Sequence, residues 1–237
     1  MSDEDLPKAG ELRQWRFHNH DVIPDPRVET VFQEEWLPLM QPFLEDLVVN
    51  KVFLSIHFDR ECELGNLITN SIYANFSFAD FVVTNPGGFR TQWLPGMLKE
   101  KDFYNMFPFG NILKSFNISG AELKETLNII QSGSAGFYQF YGIQTTATIQ
   151  NNQKKFISAK MMDGSEIDED KYYIGITNDF LLQGGDDFSK VIGKIYTPRN
   201  VKDLGEIRES IRQPLKDIEV IEPGTLIDPD HPRIILV

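Results

Sequence analysis

Cysteine is almost absent from this sequence: Cys62 stands alone among 237 residues. No intramolecular disulfide can form, and a reducing compartment, cytosol or cytosol-connected, is expected. Cys62 reads as a buried, inert thiol. Histidine is scarce too, being limited to His18, His20, His57 and His231. His18 and His20 would share one face of a strand, but no HxxxH or CxxC spacing supports them as ligands, and a structural or surface role is expected. GxSxG, P-loop and GxGxxG motifs are missing. GGDD (184–187) suggests calcium but lacks the oxygen count of an EF-hand loop. No metal and no cofactor are expected. Nor does any apolar run approach the roughly 20 residues a membrane helix needs. The N-terminal stretch MSDEDLPKAGELRQW has neither the basic nor the apolar region of a signal peptide. Positive charge is in deficit: 23 Lys and Arg against 35 Asp and Glu leave a net charge of −12. Such a surface repels nucleic-acid phosphates and anionic membranes, so neither partner is expected. The acid is spread along the chain, which suits plain solubility.

What is present is an ordinary globular composition, 41% hydrophobic and 24% charged. The length allows one large domain or two small ones. Residues 1–26 read as a polar, proline-punctuated entry segment. RVETVFQEEWLPLMQPFLEDLVV (27–49) has apolar residues near helical spacing, disturbed by Pro38 and Pro42. NKVFLSIHF (50–58) alternates like a strand, LGNLITNSIYANF (64–76) predicts a helix, and ADFVVTN (79–85) a buried strand followed by the tight turn PGGFR. KEKDFYNMFPFGN (99–111) predicts helix then loop, and ILKSFNI (112–118) a strand. SGAELKETLNIIQSG predicts a helix with Ser119 and Glu122 as a capping box and Gly133 as its end. GIQTTATIQ and KKFISAKMM around NNQ predict a hairpin, and KYYIGITNDF (171–180) a strand. DLGEIRESIRQPLKDI (203–218) holds a helix that Pro214 should interrupt, and the turn-rich tail ends in a short strand. Helices and strands mix without clean βαβ alternation, which predicts an α+β fold with a mixed β-sheet flanked by helices.

The chemistry is expected in loops that follow strands. NPGGFR (85–90) offers two glycines for close backbone approach, an amide in Asn85 and a planar cation in Arg90. FPFGN (107–111) sets an aromatic beside Gly110. NDFLLQGGDDF (178–188) combines an aromatic, a glycine pair and carboxylates. Aromatic faces with a carboxylate suit a nucleoside: the base stacks, and the carboxylate accepts from sugar hydroxyls. The competing readings are a simple turn cap for Asn85, a surface ion pair for Arg90, core packing for Phe109 and Phe180, and a solvated turn for Asp186. Glu61 and Glu63 read as surface or helix-start residues.

ELGNLI (63–68), ADFVVTNPGGFR, FPFGN, ISGAELKETL (118–127) and NDFLLQGGDDF occur in an order and spacing that resembles the C-terminal domain of 5′-nucleotidases, of the ecto-5′-nucleotidase and UDP-sugar hydrolase type. The resemblance runs from about residue 20 to the C-terminus, leaving 1–19 as an N-terminal extension and 20–237 as the domain. It implies a 5′-nucleotidase C-terminal-domain-like fold. It further implies that Asn85, Gly87, Gly88 and Arg90 line a nucleoside pocket. Phe109 and Phe180 would stack on the two faces of the base, and Gly185 and Asp186 would place a carboxylate on the ribose hydroxyls.

Departures from the family pattern qualify that expectation. Phe58 falls where the family has an arginine that contacts substrate, with Arg60 off register, and Pro86 replaces a glycine. The family's catalysis belongs to a metallophosphatase domain, and no DxH, GNHE or GHxH pattern occurs in this sequence. Phosphoester hydrolysis of this kind needs a metal-bound water and charge neutralisation. The chain is therefore expected to be no enzyme on its own, a pseudoenzyme acting as a scaffold subunit of a larger assembly with some nucleoside binding retained. The alternatives are a nucleoside- or nucleotide-binding module that works with a metallophosphatase in trans, or a fragment of a two-domain hydrolase. The initiator Met followed by SDED favours a natural start.

Overall fold

The computed structural model describes residues 25–237 and, for their backbone, 15–17 and 20–22. The expected boundary after residue 19 lies outside the described residues, as does His18. Two units divide between Glu45 and Asp46.

In the first unit, β1 (Trp15–Phe17) pairs antiparallel with β2 (His20–Val22). The helix α1 (Pro26–Val31) starts with the Asp25 side chain accepting from the Arg27 N–H. A π turn (Phe32–Trp36), α2 (Leu37–Met40) and a 3₁₀ turn (Gln41–Leu44) follow. Pro38 has no N–H for the preceding turn. The Leu37 N–H reaches back to the Phe32 carbonyl instead. The helical pattern stops at Leu44. Residues 46–49, expected to continue it, are a strand.

The second unit runs β3 (Asp46–Asn50), α3 (Glu63–Asn75), β4 (Phe81–Thr84), β5 (Gly96–Lys99), α4 (Glu100–Met106), β6 (Ile112–Ser119) and α5 (Gly120–Ser132). It continues with β7 (Gln139–Tyr141), β8 (Ile143–Gln150), β9 (Gln153–Met161), β10 (Tyr172–Asn178), α6 (Asp179–Leu182), β11 (Arg199–Glu206), α7 (Ile207–Ile218), β12 (Val220–Ile221) and β13 (Ile234–Leu236). The central sheet has the order β11-β6-β10-β4-β7. Only β4 and β10 pair parallel in it, with Ile176 opposite Val82. Two three-stranded sheets, β12-β3-β5 and β13-β8-β9, complete the mixed α+β architecture.

Strand alternation sends successive side chains to opposite faces. Val82 and Ile176 join Leu64, Leu67, Ile68, Ile211 and Leu215 of α3 and α7 in one core. Phe81, Val83 and Tyr173 join Leu123, Leu127 and Ile130 of α5 in the other. Gly175 makes room in this second core: a Cβ there would lie 2.5 Å from the Phe81 ring and 2.6 Å from that of Phe116. Those two rings meet edge to face at 5.9 Å.

The expected capping box is present, with Ser119 Oγ accepting from the Glu122 N–H at 3.3 Å and Glu122 Oε2 accepting from the Ser119 N–H at 3.0 Å. Asn151 and Asn152, at φ +52° and +59°, make the β8–β9 hairpin turn. Two further expectations fail. Past Asn50, the last residue of β3, the expected strand over 50–58 does not continue: the Asn50 amide donates to the Val52 and Leu94 carbonyls and turns the chain, leaving a lone bridge at Leu54. Pro214 does not interrupt α7. The Ser210 carbonyl that Pro214 cannot serve accepts instead from Asn75 Nδ2 at 2.8 Å, from the last residue of α3.

Candidate functional site

The parallel strands β4 and β10 end next to each other, and open α/β sheets bind ligands outside the carboxyl ends of such strands. Three loops meet there. The first is Asn85 and the 3₁₀ turn Pro86–Gly88 after β4. The second joins α4 to β6 through Phe109. The third leaves β10 through α6 and a glycine pair to Asp186. They enclose a cavity of about 410 Å³. Asn85, Gly87, Gly88 and Arg90 line it from the first loop, Phe109 and Asn111 from the second, and Asn178, Phe180 and Asp186 from the third.

Seven of the eight expected residues thus line one cavity. The eighth, Gly185, lies behind it. Its φ is ordinary, and its role is steric, because a Cβ there would stand 2.4 Å from the Phe180 ring. Phe109 is 63% exposed and Phe180 45%, so neither ring is consumed by core packing. The Arg90 guanidinium sits 5.4 Å from the centre of the Phe109 ring. Its Nη1 also donates, at 3.5 Å, to the Gly87 carbonyl. Asn85 is buried and makes no cap bond with its side chain. Its Nδ2 donates to Asp186 Oδ2 at 2.6 Å, and its Oδ1 accepts from Asn178 Nδ2 at 3.3 Å. Asp186 Oδ1 has no hydrogen bond among the described residues. Asp186 holds φ +48°, a left-handed conformation that a non-glycine residue adopts at a cost.

The sequence reading missed two lining residues, Asn111 and Asn178. Asn178 Oδ1 accepts from the Leu181 N–H at 2.9 Å and caps α6. That role is visible in sequence as an Asn ahead of DFLL. Asp179 ties the second loop to the third, its Oδ1 accepting from Asn111 Nδ2, the Ile112 N–H and the Phe180 N–H at 2.9–3.2 Å. Beside Asp186, Asp187 is buried and accepts from the Ser134 and Ala135 N–H groups and from Lys190 Nζ. Burial pushes its carboxyl up, but Lys190 and the two backbone donors outweigh that and hold it below the usual carboxylate range.

Other expected residues fall outside the cavity. Arg60 hydrogen-bonds His57 at 3.2 Å, pairs with Asp59 at 4.0 Å and does not line the cavity. Cys62 is buried, its Sγ accepts from the Gly65 N–H, and burial pushes the thiol up. Glu61 corrects the expectation of a surface residue. It is buried, and its carboxylate accepts from Asn66 Nδ2 and from the Arg233 and Ile234 N–H groups, fastening β13. Glu63 opens α3 as expected. Among the described residues no group of three or more His, Cys, Asp or Glu could hold a metal ion.

The family described as "5′-nucleotidase, C-terminal domain" matches residues 48–193, well over half of the chain. The chain belongs to that family. The matched stretch contains every residue that lines the cavity. Relatives of this 5′-nucleotidase C-terminal domain include the endonuclease YhcR of Bacillus subtilis, 36% identical over 124 residues, covering 52% of this chain and 10% of that protein. The NAD 5′-nucleotidase of Haemophilus influenzae is 29% identical over 142 residues, covering 54% of this chain and 23% of the relative. The chain therefore spans less than a quarter of these curated relatives. Among solved structures, a 5′-nucleotidase precursor from Thermus thermophilus superposes with a TM-score of 0.71 at 22% identity, over 90% of this chain and 42% of that one. The Haemophilus influenzae NAD nucleotidase gives 0.68 at 20% identity, over 90% and 41%. At such identities the likeness speaks for the fold.

Proposed function

We propose that this domain binds a nucleoside, or the nucleoside end of a nucleotide, in the three-loop cavity. The base lies between Phe109 and Phe180, and Asp186 accepts from the ribose hydroxyls through Oδ1. Asn85 holds the carboxylate in place, and Arg90 stays beside Phe109 at the edge of the base. The observation that carries this reading is the meeting of seven separately expected residues on one cavity whose two phenylalanine rings remain open. Each stacked base contributes about 1–3 kcal/mol. Each hydrogen bond to an ionised carboxylate adds about 1.5–3 kcal/mol. In this reading the domain recognises its ligand, and phosphoester chemistry depends on metal-bearing groups that the described residues do not supply.

Titrating the chain with adenosine, AMP and UDP-glucose in a thermal melt tests this. A ligand at about 100 times its Kd adds roughly 2.7 kcal/mol of stability. Phe180→Ala should weaken binding by about 1–3 kcal/mol. No shift at millimolar concentration with any of the three would sink the proposal. The scaffold reading rests on a different observation. Asp186 already has an internal donor in Asn85, and Phe58 stands where the family carries an arginine. A scaffold would keep its protein partners through Phe180→Ala. Hydrolysis of AMP at an enzymatic rate by the purified chain with added Mn or Zn would refute the non-catalytic part of both readings.

A further inference from the structure

A second, larger cavity of about 780 Å³ opens on the other side of Pro86. Ser132, Ser134 and Gly136, Lys154 at the start of β9, Lys190 and the exposed ring of Phe58 line it. A Cβ on Gly136 would lie 2.9 Å from both Phe58 and Pro86, so this wall abuts the turn whose glycines line the nucleoside cavity.

The charges in this cleft do not cancel. Asp187, behind the wall, is matched by Lys190 and two backbone N–H groups. Asp59, also in the lining, is paired with Arg60. Lys154 has no carboxylate partner among the described residues. Its Nζ donates to the Gly136 carbonyl at 2.5 Å and lies 4.7 Å from the centre of the Phe137 ring. Burial pulls its pKa down to about 8, and although the charge of Asp187 pulls the other way, that carboxylate is already paired with Lys190. In a chain of net charge −12, a half-buried cation left unmatched inside a large cleft is a position that an external anion would complete. Donors suited to a multi-oxygen anion stand around it. Ser132 Oγ accepts from the Phe156 N–H at 2.9 Å, which leaves its own O–H to donate, and the hydroxyl of Ser134 belongs to the same wall.

We propose that this cleft binds the phosphate of a small phosphate monoester. Lys154 is the charge partner, Ser132 and Ser134 are hydrogen-bond donors, and the organic part of the ligand lies against the Phe58 ring. The site is independent of the nucleoside cavity. The test titrates the intact chain with phenyl phosphate and with inorganic phosphate, following the backbone amides of Ser134 and Gly136 by NMR. Saturable shifts at those amides are expected, with phenyl phosphate binding tighter. Lys154→Met should weaken both by about tenfold or more, while adenosine affinity stays unchanged. If Lys154→Met fails to fold, Ser132→Ala serves in its place with a smaller loss. Shifts that do not saturate at millimolar ligand, or an affinity untouched by whichever variant folds, would overturn the proposal. Equal binding of the two probes would overturn the placing of the organic part on Phe58.

Discussion

The strands β4 and β10 run parallel as neighbours, and at the end of each stands an asparagine, yet the two asparagines do different work. Asn178 spends its carbonyl on the Leu181 N–H and builds the first turn of α6. Asn85 makes no such cap, and its amide crosses to Asp186 at 2.6 Å. One is committed to backbone, the other to presenting a carboxylate. The contrast repeats one step later in the two aspartates of GGDD. Asp187 is buried among three donors, whereas Asp186 is exposed and held at a left-handed φ. Strain on the presented residue beside full satisfaction of its neighbour is the pattern expected where a loop has been fixed for recognition.

Removing Asp187 should give the largest effect. Asp187→Ala leaves Lys190 and two N–H groups without their acceptor, and unfolding in denaturant should show a loss of about 3 kcal/mol. The pH dependence follows from its lowered carboxyl. A group whose folded pKa lies below its unfolded value stabilises the fold fully above the unfolded value, near 3.8. That stability is lost as pH falls through the lower, folded value. The wild type should therefore lose stability below about pH 4 along a limb that is flatter in Asp187→Asn. Equal acid limbs in the two proteins would show that Asp187 does not anchor the loop.

The difference between the aspartates also marks the limit of what the sequence revealed. Strands β4, β6 and β10, the helices α3 and α5 and the three loops were legible because local patterns specify them: alternation, capping box, glycine pairs. Asp186 was singled out only through the resemblance, since nothing local separates it from Asp187. What local pattern missed was decided by distant partners. Glu61 looked like a surface acid because two of its donors, the N–H groups of Arg233 and Ile234, lie over 170 residues away. Pro214 looked like a break because Asn75, which satisfies the carbonyl it abandons, belongs to another helix. Residues 50–58 alternate as a strand should, yet the Asn50 side chain captures two carbonyls and ends the ladder.

A smaller effect on stability, with the larger loss falling on binding, should come from Asp186→Gly. Glycine adopts φ +48° without the penalty an L side chain carries, which offsets part of the cost of leaving the buried Asn85 Nδ2 without its acceptor, so stability should change by no more than about 1 kcal/mol. The carboxylate is lost, and adenosine affinity should fall by about 1.5–3 kcal/mol. Calorimetric titration alongside a thermal melt reads both. A variant that melts lower and still binds would mean that Asp186 serves the loop and not the ligand.

The finest test sets the two asparagines against each other. Asn178→Ala removes the cap of α6, a loss of about 1 kcal/mol, and leaves Asn85 Oδ1 without its donor. Stability and binding should fall together, because α6 carries Phe180. Asn85→Ala removes no backbone bond. Its cost should appear mainly in binding, as Asp186 loses the donor that fixes it. The ratio of binding loss to stability loss is then the decisive quantity, larger for Asn85→Ala than for Asn178→Ala. Equal ratios would mean that both asparagines merely hold the strand ends together and that the cavity's polar wall was built for packing, leaving the two phenylalanine rings to carry recognition without it.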